Sequence, residues 1–153
     1  VRVAGPTPVC GRGGGGHVRN RCIRYVAKLG IADRFYFTGF LRGDDVQKMF
    51  ALSDVYVMPS VSEPFGISPL EAMKSDVPTI ISKQSGVAEV LKYAIKVDFW
   101  DVNALADAMY GLLNYPALPR LATERGREEV DNLKWDAAAV KVRDVYQSAI
   151  EGK

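Results

Sequence analysis

Two glutamates eight positions apart, Glu63 and Glu71, are the residues of this chain whose types and spacing best suit ligand chemistry. They are the first and last residues of the segment EPFGISPLE, which follows the apolar strand pattern Val55–Met58. An apolar helical pattern begins near Ile67, so the two carboxylates flank the start of a helix. The first N–H groups of a helix lack intrahelical partners and lie at the positive end of its dipole. The segment therefore suits an anion such as a phosphate.

Gly66, between the two glutamates, lets a ligand approach the backbone closely because it has no side chain. The carboxylates would repel a phosphate, but they are good acceptors for the hydroxyls of a sugar or a ribose. The combination therefore predicts a ligand that carries both a phosphate and hydroxyls.

A structural alternative exists for each glutamate. Ser68-Pro69-Leu70-Glu71 has the form of a capping box, with Ser68 as N-cap, proline at the first helical position and Glu71 returning to a backbone N–H. Glu63, in a loop, could be a solvated surface carboxylate. Both roles can coexist at Glu71, because a partly buried carboxylate can accept both kinds of hydrogen bond.

The segment resembles a signature of retaining glycosyltransferases with the GT-B fold, the family that contains glycogen synthases and sucrose synthases. The matching residues are Glu63, Pro64, Phe65, Gly66, Glu71 and Ala72. Four neighbouring segments also resemble that family in order and spacing: Phe37–Phe40, Ser53–Ser60, Val77–Ile81 and Ser85–Val90. The resemblance extends over about residues 30 to 115, and it leans toward the glycogen-synthase-like branch.

The resemblance implies a catalytic position for Glu63, beside the donor sugar, and ribose binding for Glu71. The other donor-binding residues that it implies are the N–H groups of Phe65, Gly66 and Ile67 at the sugar and phosphate, Gly39 and Phe40 at the nucleobase, and Ser60. Transfer in such enzymes is thought to proceed by same-face attack with a stabilised leaving phosphate, so a protein nucleophile is not required. The implied donor is UDP-glucose or ADP-glucose, with no cofactor and no metal.

The length and composition predict one globular unit. The 153 residues are 48% hydrophobic, enough to bury a core. GT-B enzymes have two Rossmann-like domains, and this chain resembles only the C-terminal, donor-binding one. The resemblance implies an N-terminal acceptor-binding domain as a partner. It also implies that 1–153 is a donor domain truncated at its start, because the first strand, with its basic residues for the donor pyrophosphate, would lie upstream of Val1.

The charge balance argues against a nucleic-acid partner, since 20 basic and 18 acidic residues give a net charge of +2 and are scattered. No apolar run is long enough for a membrane span and the start does not have the pattern of a signal peptide, so we expect a cytoplasmic protein. Cys10, Cys22 and His17 are too few and too widely spaced for a metal site.

Short apolar segments that alternate with helical patterns predict an α/β fold, a parallel sheet with helices on both faces. The resemblance implies that this Rossmann-like sheet is one half of a GT-B fold. The predicted strands are Val1–Ala4, Phe35–Thr38, Val55–Met58, Thr79–Ser82 and Ala94–Val97. The predicted helices are Val18–Leu29, Asp44–Leu52, one from near Ile67, one capped by Asp101 that runs through Leu113, Ala117–Leu133 and Trp135–Ile150.

The glycine-rich residues 6–17 are predicted to form a flexible connector. They formally contain G-x-G-x-x-G, but prolines separate them from the strand that a dinucleotide site requires. Asp76 stands where the resembled family usually has a glycine, and we expect it to be tolerated because aspartate adopts left-handed conformations more readily than most residues. This and other departures nearby leave the sugar open.

Residues 116–153 are predicted to form C-terminal helices. In GT-B enzymes the final helix commonly crosses to the other domain; packing on this chain's own sheet is the alternative. Two other functions also stay open. One is a non-catalytic module that binds nucleotide sugars or a protein. The other is a fragment of a GT-B nucleotide-sugar epimerase, in which acid/base histidines would be expected and His17 is the one histidine available.

Overall fold

The computed structural model describes residues 2–5 and 15–152. In that part of the chain the strands are β1 (Val3–Ala4), β2 (Val55–Met58), β3 (Thr79–Ser82) and β4 (Ile95–Val97). The α-helices are α1 (Gly15–Lys28), α2 (Asp44–Ala51), α3 (Ser68–Lys74), α4 (Val102–Asn114), α5 (Ala117–Asn132) and α6 (Trp135–Ile150). Two short 3₁₀ helices span Ala32–Arg34 and Gly86–Glu89.

The four strands form one parallel sheet in the order β1-β2-β3-β4, with Tyr56 opposite Thr79 and Ile80 opposite Ile95. Every residue of β2 and β3 is buried. Parallel strands covered on both faces have continuous apolar sequences for this reason. The predicted Rossmann-like α/β class is confirmed.

The side chains of β2 alternate between two cores, as the two-residue period of a strand requires. Tyr56 and Met58 pack in one cluster with Met73 of α3, and Val55 and Val57 pack in the other with Leu112 of α4. Helices therefore cover both faces of the sheet, and β2 ends between them.

The predicted strand Phe35–Thr38 does not form. Pairing in a sheet needs a neighbour with free backbone groups, and β1, at the edge, is only two residues long and pairs with β2. The segment instead follows the 3₁₀ helix Ala32–Arg34, and its Tyr36 is 88% exposed.

The predicted connector, residues 6–17, is partly wrong. Residues 6–14 lie outside the described ranges, but residues 15–17 belong to α1. The first N–H groups of a helix have no intrahelical partner, and this end of α1 contains glycines despite their entropic cost.

Local sequence signals at two other helix ends are confirmed. The Asp101 side chain accepts a hydrogen bond from the N–H of Ala104 at 2.9 Å and so caps α4. Asp76, after α3, has a φ of 59°, in the left-handed region. Its carboxylate is paired with the guanidinium of Arg127, which helps to hold this conformation.

No helix of residues 2–5 and 15–152 is long and apolar enough to cross a membrane.

Candidate functional site

The carboxyl end of β2 leads into a loop that reaches α3 at Ser68. Ligands in open parallel sheets lie beyond the carboxyl ends of the strands, which is where this loop stands. The hydroxyl of Ser82, the last residue of β3, donates a 2.7 Å hydrogen bond to the carbonyl of Ser60. The predicted donor-binding residue Ser60 thus holds the base of the loop to the neighbouring strand through its backbone.

The Glu63 backbone is held by the segment that follows β3. The N–H of Gly86 donates to the carbonyl of Glu63 at 2.9 Å, and the N–H of Val87 donates to the carbonyl of Phe65 at 2.9 Å. Glu63 and Ser85 also form an isolated parallel bridge. The pairing of β2 with β3 therefore continues past the ends of the strands, which gives Glu63 a defined position.

Two glycines permit this close packing. A Cβ on Gly86 would lie 1.9 Å from the carbonyl oxygen of Pro64, so no other residue fits there without displacing the loop. Gly66 has a φ of +89°, and a Cβ on it would lie 3.0 Å from Cγ of Glu63 and 3.1 Å from Cε of Met58. The turn at Gly66 therefore packs directly against the side chains of Glu63 and of Met58 in β2.

The predicted capping box at Ser68 and Glu71 does not form. Ile67 is the N-cap residue of α3, and no side chain caps this end. Instead of turning to the N–H groups of its own helix, the Ser68 hydroxyl lies 2.7 Å from the Tyr56 hydroxyl on β2. Ser68 makes a tertiary contact in place of a local one.

The Glu63 and Glu71 side chains are both half-buried, and neither carboxylate has a hydrogen-bond or ion-pair partner in the described part of the chain. Free carboxylates that are partly withdrawn from water are costly unless a ligand or solvent reaches them. The interpretation of Glu71 as a helix cap is wrong, and both side chains are available to a ligand.

Backbone donors lie free between the two carboxylates. Within residues 2–5 and 15–152, no acceptor receives the N–H groups of Phe65, Gly66, Ile67 and Ser68. The side chains of Phe65 and Ile67 are exposed, so the turn is open to solvent. The arrangement can therefore offer N–H donors to an anion and carboxylate oxygens to hydroxyls.

The Tyr56 hydroxyl lies near both carboxylates. Burial is the largest influence and raises the pKa of Tyr56 above its ordinary 10.0; the hydrogen bond with Ser68 lowers it, and the negative charges of Glu71 and Glu63 raise it further. The phenol therefore stays protonated and neutral beneath the two glutamates.

Gly39 and Phe40 stand in a loop rather than at the end of a strand, because Phe35–Thr38 does not pair. Gly39 has a φ of +73°. The Phe40 ring is 70% exposed, and its described ring contact is with Arg42, whose guanidinium carbon lies 5.0 Å from the ring centroid. Their placement beside a nucleobase stays a prediction.

The sequence patterns gave no role to Tyr56 and assigned none to Gly86. Tyr56 occupies an apolar strand, where its hydroxyl is the one group that signals a polar neighbour. Gly86 was part of a family-like segment, but its contact with Pro64 depends on two loops that are distant in sequence.

Among the residues that the structure describes, no group of three or more His, Cys, Asp or Glu side chains is arranged to hold a metal ion. Cys10 lies outside these residues, and Cys22 is a free, half-buried thiol on α1.

Comparison with known families settles the class of this chain. The sequence pattern of the family Glycosyl transferases group 1 matches residues 2–129. The chain belongs to this family. It is 29% identical over 143 residues to an uncharacterized glycosyltransferase of Methanocaldococcus jannaschii, a match that covers 90% of this chain and 36% of that protein. It is 32% identical over 119 residues to the sulfoquinovosyl transferase SQD2 of Arabidopsis thaliana, covering 74% of this chain and 23% of SQD2.

Solved structures show the same fold. Sucrose-phosphate synthase from Thermosynechococcus elongatus superposes with a TM-score of 0.76 at 30% identity, over 99% of this chain and 38% of that one. Anabaena HepE, in complex with UDP and glucose, superposes with a TM-score of 0.73 at 18% identity, over 88% of this chain and 38% of HepE. This glycosyltransferase domain therefore spans well under half of the proteins that it resembles.

Proposed function

We propose that this chain is the donor-binding half of a retaining glycosyltransferase that moves a hexose, glucose as the first candidate, from UDP or ADP to an acceptor. The observation that carries the proposal is the pair of half-buried carboxylates without described partners, Glu63 and Glu71, on either side of free backbone N–H groups. Nucleotide sugars present the matching groups, a diphosphate flanked by a sugar and a ribose.

Each part of the proposed donor meets a different part of the turn. Glu63 lies beside the sugar and its reacting carbon, and Glu71 accepts hydrogen bonds from the ribose hydroxyls. The N–H groups of Phe65, Gly66 and Ile67 face the sugar and the phosphate. There they stabilise negative charge as the phosphate leaves, without a metal ion. The remaining proposed contacts are Gly39, Phe40 and Ser60.

We expect the isolated chain to bind donor weakly and to turn it over little. The matches cover 36% and 38% of two relatives, so an N-terminal domain would supply the acceptor site and further phosphate contacts. The apolar residues of α6 would contact that domain, because every side chain described from 136 to 150 is exposed.

Titration with nucleotides while backbone amide shifts are followed by NMR tests the donor site. UDP is the first probe, since HepE is bound to UDP and glucose; ADP and UDP-glucose follow. Saturable shifts at 65–71 are expected, with the same dissociation constant in EDTA as in Mg²⁺. If these amides do not respond to any of the three ligands, the proposal is wrong.

Substitution of the two glutamates separates their roles. Glu71→Ala should weaken UDP binding by about tenfold or more, because it removes a charged acceptor for the ribose hydroxyls. Glu63→Ala should affect UDP less and UDP-glucose more, because its proposed partner is the sugar. Calorimetric titration measures both constants. Equal losses of affinity that follow equal losses of stability would contradict the assignment.

A further inference from the structure

β2 carries one hydroxyl in an otherwise apolar strand. Tyr56 is 2% exposed, and the other residues of β2 are Val55, Val57 and Met58. A buried phenol requires a hydrogen-bond partner. The partner of Tyr56 is the Ser68 hydroxyl at 2.7 Å, on the first residue of α3 and twelve positions along the chain. This hydrogen bond joins β2 to the first residue of α3, the helix that carries Glu71.

The Ser68 hydroxyl has a second neighbour on the same strand. Ser68 Oγ lies 3.9 Å from Met58 Sδ, and a thioether sulfur can only accept. Ser68 therefore contacts two residues of β2, Tyr56 and Met58. On its other side, the Tyr56 ring is held edge-on against Phe50, with centroids 5.6 Å apart. This packing fixes the ring and with it the position of the hydroxyl oxygen.

Ser68 and Met58 connect this contact to the two glutamates. Ser68 precedes Glu71 by three positions, so the two side chains are neighbours on one face of α3. Met58 lies beneath Gly66, and Gly66 lies against the Glu63 side chain. A shift of Ser68 away from Tyr56 would change the separation of the two glutamates.

We propose that the Tyr56–Ser68 hydroxyl pair positions the start of α3 on β2, and thereby holds Glu63 and Glu71 at the separation that a nucleotide sugar requires. Because these hydroxyls contact each other and Met58, we assign both residues a positioning role, and the inference rests on the proposed donor site. Tyr56 can serve because it stays neutral: a tyrosinate under two carboxylates would repel both.

Three variants test the pair. Tyr56→Phe keeps the ring and removes its hydroxyl; Ser68→Ala removes the partner; Ser68→Thr retains a hydroxyl. Tyr56→Phe and Ser68→Ala should each weaken UDP binding about threefold to tenfold, and the double variant should be no weaker than the weaker single variant, because one bond is lost in all three. Ser68→Thr should retain the wild-type affinity.

Ser53→Ala is the matched control. Its hydroxyl donates to the Met49 carbonyl at 2.6 Å just before β2, at the end of the strand away from the donor site. It should leave UDP affinity unchanged whatever it does to the melting temperature. Equal UDP affinity in wild type, Tyr56→Phe and Ser68→Ala would overturn the inference alone. Absence of UDP binding by the wild-type chain would instead overturn the proposed function, and the inference with it.

Discussion

Helices α5 and α6 have 16 residues each and follow one another in the chain, but α5 packs against α3, whereas the side chains described in α6 are exposed. Gly126 of α5 is buried against Met73 of α3: a Cβ on this glycine would lie 2.7 Å from the methionine Cε. In α6, every side chain described from 136 to 150 is exposed, including Val145 at 69%.

The difference does not follow from apolar content. α6 carries the larger apolar residues Val140, Val142, Val145, Tyr146 and Ile150, whereas α5 is rich in Arg and Glu. Two contacts distinguish α5. Its Gly126 leaves room for the Met73 side chain. Its Glu129 accepts hydrogen bonds from the N–H groups of Lys92 at 2.8 Å and Tyr93 at 3.2 Å. Shape and satisfied backbone groups, rather than apolar residues alone, decide which helix packs here.

The packing of α5 also bears on the site. Lys92 and Tyr93 follow the segment Gly86–Glu89, whose Gly86 N–H holds the Glu63 carbonyl. By accepting from these two N–H groups, Glu129 ties α5 to the segment that holds the Glu63 loop. α5 thus supports the loop of the proposed donor site.

The largest expected effect is at the α3–α5 contact. Met73→Ala should lower the free energy of unfolding by about 2–5 kcal/mol, because it leaves a cavity beneath Gly126. Val145→Ala on α6 should change it by less than about 0.5 kcal/mol, since the side chain is exposed. Urea unfolding measures both. Similar losses in the two variants would show that the two helices are not packed differently.

Glu129→Gln should cost about 1 kcal/mol, because the amide is a weaker acceptor for the Lys92 and Tyr93 N–H groups than the carboxylate. Glu128→Gln is the matched control on the same helix. It removes only an exposed ion pair with Arg125 and should change stability by less than about 0.5 kcal/mol. If the control were as costly as Glu129→Gln, general helix charge would explain the loss better than docking.

A smaller, pH-dependent effect is expected from Tyr56. Burial raises its pKa in the folded protein above the ordinary 10.0. The stability that it contributes is therefore complete below pH 10 and is lost as the pH rises through the folded-state pKa. The difference in unfolding free energy between wild type and Tyr56→Phe should shrink or reverse above pH 10. A difference that stays constant from pH 8 to about pH 11 would contradict this. Tyr146→Phe, on α6, controls for the substitution.

The smallest effect is expected from removal of α6. A chain that ends at Leu133 should keep its unfolding free energy within about 1 kcal/mol, because no described side chain from 136 to 150 is buried. Thermal and urea unfolding of the shortened chain test this. A loss of several kcal/mol would mean that α6 does pack on this domain.

Short-range patterns were sufficient for much of the fold. β2, β3 and α6 begin and end at the predicted residues, and Asp101 caps α4 as expected. Strand periodicity, capping and the left-handed tolerance of Asp76 depend on neighbours within a few positions, so the sequence displays them directly. The segment from Glu63 to Glu71 could also be recognised, because the two glutamates and Gly66 lie within nine consecutive residues.

The errors arose where a distant residue decided the outcome. Phe35–Thr38 has the composition of a strand, but it does not pair with β1, the nearest edge strand in chain order, which is only two residues long. Ser68 has a capping sequence, but the Tyr56 hydroxyl, fixed by the sheet, competes for it. To predict either outcome, one must know which elements are in contact in the folded chain.

By itself, then, the sequence determined the α/β class and most element boundaries, and it singled out the two glutamates as candidate ligand-binding residues. Each of these depends on local periodicity and spacing. Only the tertiary structure decided that neither carboxylate has a partner among the described residues and that Gly86 must lie against Pro64. It also decided that α5 packs against α3, whereas the side chains described from 136 to 150 are exposed. The physical reason is the same in each case: close packing and hydrogen-bond pairing act between surfaces that meet only after the chain has folded.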